Sequence, residues 1–260
     1  MGGTIGWEVR SVKGIAWACA VLVLPLPALA ADAEKGEAHE KHWSYQGALS
    51  PAHWSEVAPT CGIGKHQSPV ALHVQAAKSG GAAPALAFSY GRVLAEETDN
   101  GHTIQVNVPT GNFITLGETR YELQQFHFHT PSEHTIDGKP APMEVHFVHR
   151  GPDGKLAVVG VLLRKEGAES RYASLLSSLP KAGTIKTVEV DLPALLPKDP
   201  AHFVYSGSLT TPPCSEDVQW LVMLAPQDVT PAEVETFRAR YPKNARPVQP
   251  LQGRTVQLAR

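Results

Sequence analysis

Ten residues, QFHFHTPSEH from Gln125 to His134, hold three of the twelve histidines of a 260-residue chain. Side chains alternate faces along an extended strand, so Gln125, His127 and His129 point one way and Phe126 and Phe128 the other. A second run, MEVHFVHR at 143–150, puts Glu144, His146 and Val148 on one face and Val145, Phe147 and His149 on the opposite one. The connection between them, PSEHTIDGKPAP with its Asp137-Gly138, lets the two runs pair as antiparallel neighbours, which brings His146 beside His127 and His129. Three imidazoles converging from rigid strands are the ligand set of a catalytic zinc, whose fourth position is kept for water. Gln125 and Glu144 each lie two residues before a ligand and on its face, where an oxygen can take a ring N–H and fix the tautomer. A single histidine on such a strand is ordinarily a surface or hydrogen-bonded core residue; the set with its polar partners is what points to metal.

The elements that must position this set are strands. Runs rich in β-branched and aromatic residues recur at 103–108, 121–129, 143–150, 156–163, 185–190 and 218–224. Asn100-Gly101, Asp137-Gly138 and Pro152-Asp153-Gly154 separate them as hairpin turns rather than as βαβ crossovers. The expected fold is mainly β: a single domain on a large, mostly antiparallel twisted sheet with a few peripheral short helices. Tyr172, Leu175, Leu176 and Leu179 have the spacing of a helix face that Pro180 stops. A second helix is announced by Thr230 as cap, Pro231 in its first position and Glu233 completing a capping box, with Val234, Phe237 and Tyr241 along one side. Both are expected to pack on the outside of the sheet.

Residues 1–30 read as an export signal: Arg10 and Lys13 precede the apolar run GIAWACAVLVLPLPALA, which ends in Ala28-Leu29-Ala30. That run holds Pro25 and Pro27 and is shorter than the roughly 20 apolar residues of a span, and it continues beyond Cys19, which argues against a lipid anchor there. Residues 31–41 read as a flexible lead-in and 42–260 as the folded domain, in a periplasmic or secreted protein with no membrane anchor after cleavage. Removing one acidic and two basic residues with the signal takes the formal charge from −2 to −3, too little to attract nucleic acid or an anionic membrane. A small neutral or anionic substrate fits better. Cys61 and Cys214 remain, and in an oxidising compartment they are expected to form one disulfide, two free buried thiols being the alternative.

HWSY (42–45), QSPV (67–70), NGH (100–102), QFHFH (125–129), SEHT (132–135), EVHFVH (144–149), SLTTPP (208–213) and NARPVQPL (244–251) stand together in this order. With them the chain closely resembles the α-class carbonic anhydrases from about His42 to Leu251. Thr130, where many animal members carry tryptophan, and the pair Cys61 and Cys214 are similar to the exported bacterial branch. The resemblance implies a Zn²⁺ enzyme that reversibly hydrates carbon dioxide to bicarbonate and a proton by attack of zinc-bound hydroxide. It makes His127, His129 and His146 the zinc ligands, supported by Gln125, Glu144 and Asn244. It gives Thr210 and Glu133 the orientation of the attacking group, and Val148, Val158, Leu209, Thr211 and Trp220 the substrate pocket. His102 matches the proton shuttle, with Tyr45, Asn100 and Gln105 ordering water. Without the resemblance the apolar residues among these are ordinary core and His102 is an exposed turn histidine. Carbon dioxide or bicarbonate is the implied partner, no nucleic acid is, and a homodimer stays open. Two other readings stand beside it. One is a non-catalytic binding module on the same fold. The other is a cupin-type metalloprotein, since His127-x-His129 followed by Glu133 is similar to the cupin motif, although Tyr121 and Pro140 replace its flanking glycines. HEKH (39–42) is one residue short of a zinc-protease helix, and GKH (64–66) is no phosphate loop.

Overall fold

The computed structural model describes residues 1–3, 42–79 and 83–260, so the expected export signal from residue 4 onward and the lead-in lie outside the described residues. Lys41–Arg260 is one compact unit. Among the described residues its main sheet has thirteen strands. Eight of them matter most to the site: β1 (Arg92–Asp99), β2 (Ile104–Asn107), β3 (Thr119–His129), β4 (Met143–Arg150), β5 (Leu156–Arg164), β6 (Ile185–Asp191), β7 (His202–Ser208) and β8 (Glu216–Met223). Across the sheet they run β6-β1-β2-β3-β4-β5-β8-β7. Neighbours are antiparallel except β5 and β8, which are parallel. The sheet is therefore mixed, though mostly antiparallel as expected. Asn100-Gly101 turns β1 into β2 and Pro152-Asp153-Gly154 turns β4 into β5, but a parallel pair needs a crossover. Residues 165–215 make it.

Register lines residues up across strands. One row on one face is Gln105, His127, His146, Gly160 and Val222; the next is Asn107, Gln125, Val148, Val158, Trp220 and Tyr205. The opposite face carries Val106, Phe126, Phe147 and Val159 in register, all fully buried. Burying each of those side chains contributes about 1.5–3 kcal/mol. Between Val148 and His149 the register slips by one residue, so that His149 faces Leu123 and Gln124 is the extra residue. This bulge puts Leu123 in the core alongside Phe126 although their parities differ.

Helix α2 (Pro231–Arg240) has the expected capping box, with Thr230 Oγ1 accepting from the Glu233 N–H and the Glu233 carboxylate accepting from the Thr230 N–H. Helix α1 is shorter than its spacing predicts, Ala173–Leu176 alone. Beyond it Ser177 and Ser178, poor helix formers, give way to a different partner: the Lys186 ammonium takes the carbonyls of Ser174 and Ser178. Both helices cover the core face, where Phe128 meets Tyr172 and Phe237 with ring centroids 6.0 and 6.1 Å apart. The other face is left for the histidines. Among the described residues no helix is long and apolar enough to cross a membrane.

Candidate metal centre

His127 and His129 come from β3 and His146 from β4, and each offers a nitrogen within 4.8 Å of the other two. Which nitrogen is settled by what the other one bonds. His127 Nδ1 is 2.8 Å from Gln125 Oε1, and His129 Nδ1 is 2.7 Å from the Asn244 carbonyl. Both therefore donate through Nδ1 and keep a lone pair on Nε2. His146 is reversed: its Nε2 is 2.9 Å from Glu144 Oε1, which leaves Nδ1 for the centre. His129 Nε2 is buried and has no partner within the protein. An orphaned lone pair in the interior is costly, and a cation among the three nitrogens would satisfy it. The donor set, three nitrogens with no thiolate, suits zinc.

Electrostatics keep the rings neutral. Burial, followed by repulsion from His129 and His146, holds His127 well below the ordinary histidine value; burial brings His129 down to about 4 and also lowers His146. Neutral imidazole is the form that binds metal. Glu144 is wholly buried. Burial alone would raise it, but the electrostatic pull and the hydrogen bonds of the His134 and His146 ring N–H groups that face it outweigh that and hold it well below the carboxylate range. All its bonding capacity is used: Oε1 accepts from His146 and, at 2.7 Å, from His134 Nδ1, and Oε2 accepts the N–H groups of Glu133 and His134, both at 2.8 Å. Gly160 makes room for this, since a Cβ there would sit 3.0 Å from Glu144 Oε1.

Glu133 Oε1 accepts the Arg246 N–H at 2.8 Å. Its Oε2 is buried without a hydrogen-bond partner in the protein and lies 3.8 Å from His146 Nδ1. Burial pushes Glu133 up to about 7 against the pull of His146, the Arg246 N–H and the nearby Thr210 hydroxyl. Thr210 itself is buried, at 5 % exposure. It stands in a tight loop between β7 and β8 that is closed by Leu209 N–H to the Ser215 carbonyl at 2.9 Å and pinned by the Cys61–Cys214 disulfide. In the same loop the Thr211 carbonyl accepts the Cys214 N–H at 2.9 Å. Val158 and Trp220 belong to the apolar cluster on the histidine side of the sheet, with Val148 and Leu209 packed against it. Trp220 lies 4.9 Å from the His146 ring, centroid to centroid, and its Nε1–H donates to the Ser208 carbonyl.

His102 sits on the β1–β2 turn, its ring stacked on Trp43 at 3.8 Å and 6.0 Å from the His42 ring. Burial, then the charge of His42, lowers its pKa. His42 and His102 border a recess of about 290 Å³ shared with Tyr45 and Asn244. Asn100 Nδ2 donates to Gln105 Oε1 at 3.2 Å, and Gln105 pairs in register with His127. Asn100 and Gln105 thus join the turn to the row of the sheet that carries His127.

Several residues of the site carry no sequence expectation. His134 Nε2 meets the Tyr205 hydroxyl at 2.7 Å, and that hydroxyl meets Ser68 Oγ at 2.9 Å, which extends the support of His146 into the core through Glu144. The Arg246 guanidinium, also buried, donates to Gln67 Oε1 and to the carbonyls of Ser68 and Cys61, so the residue that holds Glu133 is itself tied to the disulfide. Both His134 and Arg246 stand within motifs visible in the sequence, but their partners lie far away along the chain.

Residues 49–260 match the family model of eukaryotic-type carbonic anhydrases. A carbonic anhydrase of Neisseria gonorrhoeae is 41 % identical over 244 residues, covering 91 % of this chain and 94 % of that protein. One from Nostoc sp. is 40 % identical over 224 residues, covering 83 % and 85 %. Among solved structures, the α-carbonic anhydrase from Thermovibrio ammonificans, in complex with the inhibitor sulfanilamide, aligns with a TM-score of 0.78 at 37 % identity over 83 % of this chain and 98 % of that one. The chain belongs to the eukaryotic-type, or α-class, carbonic anhydrase family and is an enzyme of that class.

Proposed function

We propose that this protein is an exported zinc enzyme that converts carbon dioxide and water to bicarbonate and a proton, with His127, His129 and His146 as its ligands. The observation that carries the reading is the set of three neutral imidazoles, each with one nitrogen anchored by a different acceptor and the other turned to a common centre. Zinc, when bound, lowers the pKa of a water to about 7, an effect for which carbonic anhydrases are the reference case.

The chain's own residues supply the rest. Glu133 takes the Thr210 proton, so Thr210 Oγ is left as an acceptor toward the reacting oxygen and fixes where its remaining lone pairs aim. Val148, Val158, Leu209 and Trp220 form an apolar wall on the histidine side of the sheet, on which carbon dioxide can rest without competing water, with Thr211 in the adjoining loop. Each turnover releases a proton, and His102 carries it outward. An ordinary imidazole has a pKa of about 6.5, close to that of the water, and can accept its proton, and the lowered pKa of His102 favours passing it on to solvent. Trp43 stacks on its ring, and Tyr45, Asn100 and Gln105 are placed to order water between the ring and the centre. The apolar leader ending at Ala30 and the Cys61–Cys214 disulfide support export, to the periplasm or the medium.

Stopped-flow hydration of carbon dioxide, before and after chelation and with metal analysis, tests the proposal. The expected result is one zinc per chain and activity that is lost and regained with it. A folded protein with neither zinc nor hydration activity would instead be a binding module on this fold.

A further inference from the structure

The turn that carries His102 is held from outside by one short segment, Arg240–Asn244. Asp99, the last residue of β1, is buried at 6 % exposure. Its carboxylate accepts the Gly101 N–H at 3.1 Å and also the Arg240 guanidinium and the Tyr241 hydroxyl, from the C-terminal end of α2. Within the turn, Asn100 Oδ1 accepts the N–H groups of His102 and Thr103, both at 3.0 Å, and Gly101 takes a φ of +85°, which favours glycine. Three residues past Tyr241, the Asn244 carboxamide donates to the carbonyls of His102 at 3.1 Å and Phe128 at 2.9 Å and accepts the Thr130 N–H at 2.8 Å. The Asn244 carbonyl takes the His129 ring. The end of α2 therefore grips the turn on both sides of His102 and grips the ligand strand as well.

We infer that Asp99, clamped by Arg240 and Tyr241, is a positioning residue for proton release: it fixes the Asn100–Gly101–His102 turn relative to the strand bearing His127 and His129. This rests on the reading of His102 as the proton carrier. Relay through ordered water depends steeply on placement, and a shift of about 1 Å can cost up to two orders of magnitude. The interconversion step has no such dependence on this turn, because Thr210, Glu133 and the apolar wall lie on other elements. Loss of the clamp should therefore appear in maximal turnover and spare kcat/KM.

The test uses the zinc-loaded protein in weak buffer. Asp99→Ala removes the acceptor of all three donors; it is expected to lower kcat about tenfold, to leave kcat/KM within about twofold and zinc content unchanged, and to recover when imidazole is added. Asp99→Asn keeps an oxygen for the Gly101 N–H and should retain most of the wild-type kcat. Tyr241→Phe, which leaves the turn's own sequence intact, should lower kcat in the same direction and serves if Asp99→Ala does not fold. In the double variant Asp99→Ala/His102→Ala, kcat should be no lower than in His102→Ala. If His102→Ala lowers kcat but Asp99→Ala and Tyr241→Phe do not, the clamp is overturned and the carrier stands. If His102→Ala itself has no effect on kcat, the carrier reading fails. Equal falls in kcat and kcat/KM, or lost zinc, would make Asp99 merely structural and overturn the inference.

Discussion

Glu144→Gln changes one oxygen into an NH₂ group and tests the tautomer argument on which the metal centre depends. The carboxylate accepts four hydrogen bonds and is wholly buried. With the NH₂ in place of Oε2 it confronts the N–H groups of Glu133 and His134, which cannot become acceptors, and two buried donors go unsatisfied at about 1–3 kcal/mol each. In place of Oε1 it confronts His134 and His146. His134 can move its proton to Nε2 and donate to Tyr205. His146 can move its proton to Nδ1, but then it has no lone pair for a metal. The metal-free variant therefore relaxes, and the loss appears when metal binds.

Zinc affinity is expected to fall by about 10- to 100-fold, as for other lost partners of a ligating histidine, equivalent to about 1.4–2.7 kcal/mol. Zinc competition against a chromophoric chelator measures the affinity. Thermal unfolding of metal-free and zinc-loaded forms measures where the loss falls, with the zinc-loaded form losing more. Wild-type affinity in Glu144→Gln, or equal losses of stability in the two forms, would refute the assignment of Nδ1 as the ligating atom of His146.

Three further outcomes are expected. His146→Ala should contain no zinc yet keep its sheet, whereas His149→Ala, on the core side where it meets the Tyr90 hydroxyl, should bind zinc normally and be less stable by about 1–3 kcal/mol; metal analysis and urea unfolding distinguish them. Burial brings His149 down to about 4 while the unfolded residue titrates near 6.5, so the unfolded chain binds the proton more readily. The resulting stability is complete above about pH 6.5 and is lost as pH falls toward 4, and from pH 7 to 5 the wild type should lose about 2 kcal/mol more than His149→Phe in denaturant titrations. Replacing Cys61 and Cys214 by serine opens a link between residues 153 apart and should cost up to about 5 kcal/mol in guanidinium unfolding; the intact mass of wild type should be two hydrogens below that of the reduced chain.

Period-two alternation made the histidine face legible, because it depends only on local geometry. It placed Gln125, His127 and His129 together, and Glu144 with His146, and the antiparallel register that joins them followed from one connection. Alternation could not reveal what crosses the sheet. Tyr205 reaches His134 only because β7 joins β8, and β8 joins β5 by a parallel crossover, a pairing that local turn residues do not announce. β7 itself, HFVYSGS, is interrupted by Gly207, where a Cβ would come within 2.1 Å of Ser68 Oγ; the glycine that weakens the strand signal is what lets Ser68 approach. β1 was hidden differently, since Ala95, Glu96 and Glu97 favour helix over strand. Thr210 came from the family resemblance alone, because a loop position follows from closure and bracing rather than from periodicity.

Charge balance explains why the interior tolerates two carboxylates so close together. Glu133 and Glu144 are both buried beside the histidines, and each raises the other's proton affinity. Glu144 escapes this through His134 and His146, but Glu133 does not, and burial leaves it at about 7. Three neutral imidazoles add no charge. A dication among them would offset both carboxylates, returning Glu133 to its ionised form, in which it can take the Thr210 proton. Arg246 does not do this in its place: its guanidinium donates to Gln67, Ser68 and Cys61, and the hydrogen bond Glu133 receives from it comes from the backbone N–H. Without such an occupant Glu133 titrates close to neutral pH, so its protonation would report whether a dication is bound.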